Sequence, residues 1–298
     1  MLRRVALMFG VIGFARLVMA ADVRPRILVT NDDGIEAKGL SVLAGELRTF
    51  GDVVVVAPDT DRPASSFSSS IKIKEGTRNP LVSARSYKFK TVERNGELFG
   101  YSIDATPSDG VMFALGRFGA ERKFDFVVSG INPRLNLGYS ALSSGTIAAA
   151  KMGAIHGIPS LAVSAEFRND EGIFKQAAQV ARQVIEKLQH ESLPSGVLLS
   201  INVPRNATTI KPAGEGLGFG FRLNPPQGDP KDGVFEFTPT FAADAQPASV
   251  PGTDFNLVYA QPVKAITITP LRIDETDAEV LGVIGGWKLP LESSEVKK

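Results

Sequence analysis

The distribution of apolar residues from Arg26 onward predicts alternating strands and helices. The runs RILVT (26–30) and DVVVVAP (52–58) are almost continuously apolar, which is typical of strands buried on both faces. Between them, GLSVLAGELRTFG carries leucines at helical spacing and ends at Gly51. A strand, a helix and a second strand in this order predict a βαβ unit with a parallel strand pair.

The same alternation continues further along the chain. FDFVVSG, IPSLAVS and GVLLSINVP predict strands, whereas SGTIAAAKMGAIHG and IFKQAAQVARQVIEKLQH predict helices. Strands that alternate with helices are typical of an α/β protein, here a three-layer, doubly wound fold with a mostly parallel sheet. Ligands of such folds bind beyond the carboxyl ends of the strands.

Two segments depart from this pattern. Residues 65–105 alternate polar and apolar side chains and predict an antiparallel excursion of hairpins. Residues 205–260 are rich in Gly and Pro and are followed by a strand-like run, AITITPL. We therefore expect an α/β catalytic core over residues 22–204 and a β-rich extension over 205–298 that returns a strand to the core.

Composition restricts the chemistry that the chain can perform. A net charge of +1 without a long basic stripe disfavours nucleic-acid polymers and anionic membrane surfaces as partners. The absence of cysteine excludes disulfides, thiolate zinc sites and cysteine nucleophiles. The two histidines, His156 and His190, leave little room for a histidine-rich metal centre, and we expect His156 to lie at a helix end. Any bound metal should therefore have oxygen ligands.

The N-terminus resembles a targeting segment. A basic MLRR is followed by an apolar stretch and by small residues, which predicts a signal peptide over residues 1–21. Arg16 interrupts the apolar stretch, so an uncleaved leader and a cytoplasmic protein are the alternative. No later segment has the length and hydropathy of a membrane span. We expect an exported, periplasmic protein.

The segment NDDG, after the first strand, places two carboxylates side by side. Asp32 and Asp33 would repel each other unless one is protonated or a cation lies between them. Gly34 permits a tight turn that directs both side chains to one point. Oxygen ligands without His or Cys favour Mg²⁺, Mn²⁺ or Ca²⁺. The alternative is that one aspartate caps the turn and the other is solvated.

A second motif, SGINPRLNLGYSALSSGTIAAA, spans residues 129–150. It places Asn132 at a strand end, Asn136 shortly after it, and Ser144, Gly145 and Thr146 at a helix start. A helix N-terminus with hydroxyls and a glycine can bind an anion, although the same hydroxyls can simply cap the helix. An acidic pair and an anion site at one sheet edge together favour a phosphate ester held against a divalent cation.

These motifs resemble those of the SurE family. NDDGIEAKGL, VVSGINPRLNLG, SSGTIAAAKMG and PGTDF occur in the order and spacing of that family, between about Arg26 and Ile273. The resemblance implies a Rossmann-like fold and a phosphatase that needs one divalent metal ion, Mg²⁺ or Mn²⁺. The substrates would be nucleoside 5′- and 3′-monophosphates. It also implies a homo-oligomer, dimer or tetramer, joined through the C-terminal extension.

The resemblance also assigns residues. The metal would be held by Asp32, Asp33, Asn132 and a serine whose usual position is occupied here by Pro63. Ser65 is the expected substitute, and Ser66 or a water is the alternative. Asp32 would attack the phosphorus or orient a water that does so. The implied substrate-binding residues are Asn31, Ser66, Asn136, Ser144, Gly145 and Thr146.

Two departures from the family pattern support an alternative. Pro63 has no side-chain oxygen, and Gly138 is followed by Tyr139 and Ser140 instead of acidic residues. An exported protein that binds nucleotides or phosphate without catalysis would explain both departures. The intact Asp32 and Asp33 favour the enzyme.

Overall fold

A mixed sheet runs through the part of the chain that the computed structural model describes, namely residues 24–69, 86–166, 170–216, 221–223, 239–241 and 251–275. Its strands are β1 (Arg26–Thr30), β2 (Asp52–Pro58), β3 (Phe89–Arg94), β4 (Glu97–Ile103), β5 (Phe126–Asn132), β6 (Ser160–Ala165), β7 (Val197–Val203) and β8 (Thr209–Pro212). The chain continues with β9 (Phe221–Leu223), β10 (Pro239–Phe241) and β11 (Ala265–Arg272). Nine strands form the sheet in the order β3-β4-β2-β1-β5-β6-β7-β11-β8, while β9 and β10 pair separately.

Helices cover both faces of this sheet. They are α1 (Lys38–Arg48), α2 (Pro107–Phe118), α3 (Tyr139–Ser143), α4 (Gly145–Ile155) and α5 (Glu171–Leu188), and a π-helical turn spans Asn256–Ala260. The leucines of α1 and the buried face of α5 share one apolar core with alternate side chains of β1, β5 and β6. Helices α2 and α4 pack on the opposite face. The predicted three-layer α/β fold is therefore confirmed.

Parallel strand directions place the carboxyl ends of several strands at one edge of the sheet. Strands β4, β2, β1, β5, β6 and β7 are all parallel to their neighbours in this series. Strand β11 runs antiparallel to β7 and joins the sheet from the C-terminal part of the chain. The turns after β1, β2 and β5 consequently lie at the same edge, where doubly wound folds bind their ligands.

Helix α2 is an element that the hydrophobic pattern did not predict. Thr106 and Asp109 form a reciprocal capping box, and Pro107 occupies the first helical turn. These residues are local helix-start signals that do not depend on the hydrophobic pattern. Asp109 therefore has a structural role in this cap.

The alternating pattern before α2 corresponds to a hairpin. Strands β3 and β4 pair antiparallel around Asn95 and Gly96, both of which have positive φ. The remainder of the predicted excursion, residues 70–85, lies outside the described residues, and so does the predicted signal peptide. The helices of the described ranges include none with the length and hydropathy needed to cross a membrane. The proposed domain boundaries stay predictions.

Candidate active site

The turn after β1 presents the two adjacent aspartates. Gly34 has φ +96°, and a Cβ there would lie 3.1 Å from the carbonyl carbon of Thr60, so glycine is required both by conformation and by space. The Ile35 amide donates to the Pro58 carbonyl at 2.8 Å, and the Arg62 amide donates to the Asp32 carbonyl at 2.8 Å. Backbone bonds to the loop after β2 therefore fix the turn.

Asp32 is almost completely buried beside the start of helix α4. The Thr146 hydroxyl donates to Asp32 Oδ1 at 2.6 Å. Burial raises the pKa of Asp32, while hydrogen bonds from Thr146 and from the Asp32 backbone oppose the rise and the charge of Asp61 adds to it. A cation beside this carboxylate would favour its ionised form.

Gly145 allows the loop after β2 to approach Asp32. A Cβ on Gly145 would lie 2.5 Å from the Ser65 hydroxyl oxygen, 2.8 Å from Asp32 Cβ and 3.0 Å from Asp32 Oδ2. The hydroxyl of Ser65 is buried and has no hydrogen-bond partner among the described residues. A buried polar atom without a partner is costly, so a ligand that engages Ser65 and Asp32 together would be stabilised here.

A cleft of about 230 Å³ opens in front of this arrangement. Its lining includes Asp32, Asp33, Asp61, Pro63, Asn132, Arg134, Asn136, Ser140, Ser143 and Ser144. The structure thus brings together residues from the ends of β1, β2 and β5 and from the start of α4. Asp61 is a third carboxylate that the sequence reading missed, because nothing in its local pattern distinguishes it from a loop residue.

The opposite wall of the cleft, residues 132–144, is held by two distant side chains. Asn202 on β7 accepts from the Asn136 amide at 2.8 Å and donates to the Asn136 carbonyl at 3.2 Å. Asp254 accepts from the Gly138 amide at 3.2 Å and from the Gly216 and Phe255 amides at 3.0 and 2.6 Å. Burial raises the pKa of Asp254, and these backbone donors oppose the rise. Asn202 and Asp254 therefore position this wall.

Comparison with known proteins identifies the family. The family model described as "Survival protein SurE" matches residues 27–216. The chain belongs to the SurE family. A "5′-nucleotidase SurE" of Clostridium botulinum (strain ATCC 19397 / Type A) is 36% identical over 261 residues, covering 86% of this chain and 96% of the relative.

Further relatives agree with this assignment. A "5′-nucleotidase SurE" of Rhodopirellula baltica is 34% identical over 269 residues, covering 89% of this chain and 99% of the relative. The crystal structure of the SurE protein from Aquifex aeolicus superposes with a TM-score of 0.67 at 29% identity, covering 87% of this chain and 98% of that one. The resemblance stated from the motifs is thus confirmed.

The lining of this SurE-family cleft does not include four of the residues expected to bind substrate, namely Asn31, Ser66, Gly145 and Thr146. Asn31 is fully buried and donates to the Gly34 carbonyl at 3.0 Å. The Ser66 hydroxyl donates to the Leu142 carbonyl at 3.1 Å. Gly145 and Thr146 are buried against Asp32, as described above. Their roles in substrate binding stay predictions.

Asn136 and Ser144 line the cleft but also have structural contacts. The Asn136 side-chain amide donates to the Ser164 hydroxyl at 3.0 Å. The Ser144 hydroxyl accepts from the Ile147 amide at 3.1 Å and so caps α4, which was the simpler reading of that serine. Asp59, directly after β2, pairs with Arg62 at 2.9 Å and lies outside the cleft lining.

The oxygen atoms of the cleft suit a hard cation. Within the described ranges, no group of three or more His, Asp or Glu side chains is arranged to hold a metal ion. A metal at Asp32 and Asp33 would therefore also need neutral oxygens. The Asn132 amide lines the same cleft, and the unpartnered Ser65 hydroxyl lies beside Asp32, so the donor set fits Mg²⁺ or Mn²⁺.

Proposed function

We propose that this chain is a divalent-metal-dependent phosphomonoesterase that hydrolyses nucleoside 5′- and 3′-monophosphates. The observation that supports it most is the buried, unpartnered Ser65 hydroxyl beside Asp32, at the carboxyl edge of a parallel sheet. The relatives named 5′-nucleotidase support the 5′ activity, and they cover most of the chain. The 3′ activity rests on the family resemblance.

The metal, Mg²⁺ or Mn²⁺, would be held by Asp32, Asp33, Asn132 and Ser65. When bound, it would supply positive charge that neutralises phosphoryl oxygens. Pro63 lies exposed on the rim of the same cleft and has no side-chain oxygen, so Ser65 would provide the oxygen that Pro63 cannot provide.

The chain's own groups would perform the remaining steps. Thr146 fixes Asp32 through Oδ1, which leaves Oδ2 toward Ser65 and the cleft. Asp32 either attacks the phosphorus in line, which breaks the bond to the nucleoside oxygen and forms an aspartyl phosphate that water then hydrolyses, or takes a proton from a water that attacks and displaces the same oxygen. In both cases the released nucleoside oxygen takes a proton from solvent. Ser144 and Asn136 would bind non-bridging oxygens, and the positive end of the α4 dipole would stabilise the charge that shifts onto them.

The assembly and location of the protein belong to the same proposal. We infer a homo-oligomer joined through the C-terminal extension and a periplasmic location after removal of residues 1–21. Size-exclusion chromatography with light scattering tests the first inference. N-terminal sequencing of the chain recovered from the periplasmic fraction tests the second, and an intact Met1 there would contradict it.

The decisive experiment measures phosphate release from 5′-AMP and 3′-AMP by the purified chain, first with EDTA and then with Mn²⁺ or Mg²⁺ restored. Metal-restored turnover that is absent from Asp32→Asn supports the proposal. Asp52→Asn is a matched control, because Asp52 begins β2 at the opposite end of the sheet. Absence of turnover on every phosphomonoester, with nucleotide binding retained, would instead favour the binding-protein alternative, which the names of the relatives do not support.

The serine substitution in the metal site can be tested separately. Ser65→Ala should weaken Mn²⁺ binding, measured by calorimetry, by about 10-fold, as expected for the loss of one ligand or of a group that orients ligands. Pro63→Ser should leave it unchanged or strengthen it. If Ser65→Ala binds Mn²⁺ as the wild type does, Ser65 is not a ligand.

A further inference from the structure

The cleft needs more positive charge than a single bound metal ion supplies if it is to bind a phosphate group. Its lining contains three carboxylates, Asp32, Asp33 and Asp61. A phosphate monoester carries between one and two negative charges at neutral pH. Since like charges repel strongly in a partly buried site, a single divalent cation leaves the cleft and the phosphate together with excess negative charge.

Arg134 is the one basic residue in the lining of this cleft among the described residues. It lies two positions beyond Asn132, whose side-chain amide donates to the Arg134 carbonyl. The backbone of Arg134 is therefore tied to a residue proposed to hold the metal. Its placement at the cleft is thus a consequence of the turn that ends β5.

The guanidinium of Arg134 is available for a ligand. The side chain is exposed, and within the described part of the chain it forms no ion pair or hydrogen bond. Nearby cations differ in this respect: Arg62 pairs with Asp59 and Asp104, and Lys38 pairs with Glu171. Arg134 lines the same cleft as three carboxylates and pairs with none of them. Its guanidinium can therefore bind an anion that enters the cleft.

We propose that Arg134 binds the phosphate group of the substrate, and of the released inorganic phosphate, at the mouth of the cleft. The proposal rests on the proposed function in that the substrate is taken to be a phosphomonoester. A guanidinium presents its donors in a planar fork that matches two phosphate oxygens. Its contribution is to capture the anion and to offset its repulsion, whereas the chemical step belongs to Asp32.

The test compares Arg134→Ala and Arg134→Lys with the wild type. The readouts are KM and kcat for 5′-AMP and the calorimetric Kd of inorganic phosphate with Mn²⁺ present. We expect Arg134→Ala to raise both KM and the phosphate Kd by about 10-fold to 100-fold, with kcat within about threefold, as for the loss of one charged hydrogen-bond partner. Arg134→Lys should give an intermediate increase because lysine keeps the charge but loses the fork.

Arg117→Ala is the matched control, since Arg117 is an exposed arginine on α2 outside the cleft lining. The fall of kcat/KM with added salt should be weaker in Arg134→Ala than in Arg117→Ala. Thermal melting of each variant separates a folding defect from a binding defect, and Arg134→Gln provides a second neutral variant if the alanine variant melts early.

The outcomes separate this inference from the proposed function. An active wild type with KM and phosphate Kd unchanged in Arg134→Ala overturns the role of Arg134 and leaves the phosphatase intact. A wild type that hydrolyses no phosphomonoester but binds phosphate through Arg134 overturns the phosphatase and supports the anion site. A wild type that neither hydrolyses esters nor binds phosphate overturns both.

Discussion

The two walls of the cleft are built in different ways. The wall formed by Asp32 and Asp33 follows directly from a buried strand and is fixed by backbone bonds to the neighbouring loop. The facing wall, residues 132–144, depends on Asn202 and Asp254, which lie 66 and 116 positions away from the backbone groups that they hold. The first wall is therefore a property of the strand and its turn, and the second is a property of the whole fold.

The largest expected effect is on the first wall. Asp32→Asn keeps the size of the side chain and its acceptor for Thr146 but removes a carboxylate oxygen from the proposed centre. We expect turnover to fall by about 10³-fold or more, as for groups that act in the transition state. Steady-state phosphate release measures this, and a variant with more than a tenth of wild-type kcat would exclude Asp32 from the chemistry.

The same substitution has a pH signature in the metal-free protein. Burial raises the pKa of Asp32, so the folded chain holds this proton more tightly than the unfolded chain. The contribution of Asp32 to stability therefore falls as pH rises above the unfolded pKa of about 4. Urea unfolding in EDTA should show Asp32→Asn more stable than the wild type at neutral pH, with the difference lost below about pH 4. A constant difference would contradict this assignment.

Gly145→Ala tests the point where the first wall meets α4. The added methyl group would lie 2.8 Å from Asp32 Cβ and 2.5 Å from the Ser65 oxygen, so Asp32, Ser65 or the first turn of α4 must shift. We expect kcat to fall by about 10²-fold, the effect of misplacing a reacting group by about 1 Å. Gly45→Ala on α1 is the control, because a Cβ there meets no heavy atom within 4 Å. Equal kinetics in both variants would show that the contact is not needed.

Asp254→Asn tests the long-range support of the second wall. An asparagine can accept on one side only, so either the Gly138 amide or the Gly216 and Phe255 amides would face an NH₂ group. We expect the free energy of unfolding to fall by about 1–3 kcal/mol. We also expect kcat/KM to fall by about 10-fold, because Asn136 and Ser144 belong to the same wall.

Asp170→Asn is the matched control for that experiment. Asp170 accepts from two backbone amides at the start of α5, where asparagine caps about as well as aspartate. Its kinetics should match those of the wild type. If Asp254→Asn loses stability but keeps KM and kcat, Asp254 supports the fold without positioning the cleft.

The contrast between the walls also explains how far the sequence could predict the site. The apolar run before Asp32 and the serine and glycine before α4 are local signals, and both elements lie where they predicted. The sequence around Asn202 and Asp254 does not predict which groups they contact. Asn202 reaches Asn136, and Asp254 reaches Gly138, only because of the order of the strands in the sheet, which neither local sequence specifies. Ser65 lies between these two cases. The motif predicts its loop, but Ser65 can approach Asp32 only because Gly145 has no Cβ.

Substitution of Glu171 is expected to have the smallest effect on turnover, and it tests whether the first wall is independent of distant side chains. Glu171 pairs with Lys175 at 2.9 Å and with Lys38, at the start of α1, at 3.0 Å, and so links α5 to the helix that follows the aspartate turn. Hydrogen bonds from Lys175 and then Lys38 lower the pKa of Glu171 to about 2. The stabilisation is therefore present above the ordinary carboxyl pKa of about 4 and is lost as pH falls through about 2.

Because Glu171 is fully exposed, solvent and salt screen both ion pairs. Glu171→Gln should leave kcat and KM unchanged, and any stability difference should disappear in about 1 M NaCl, where the Debye length is about 3 Å. If turnover instead falls in a salt-sensitive way, the aspartate turn depends on a side-chain tie from α5. The first wall would then be as dependent on distant residues as the second, and the distinction between them would fail.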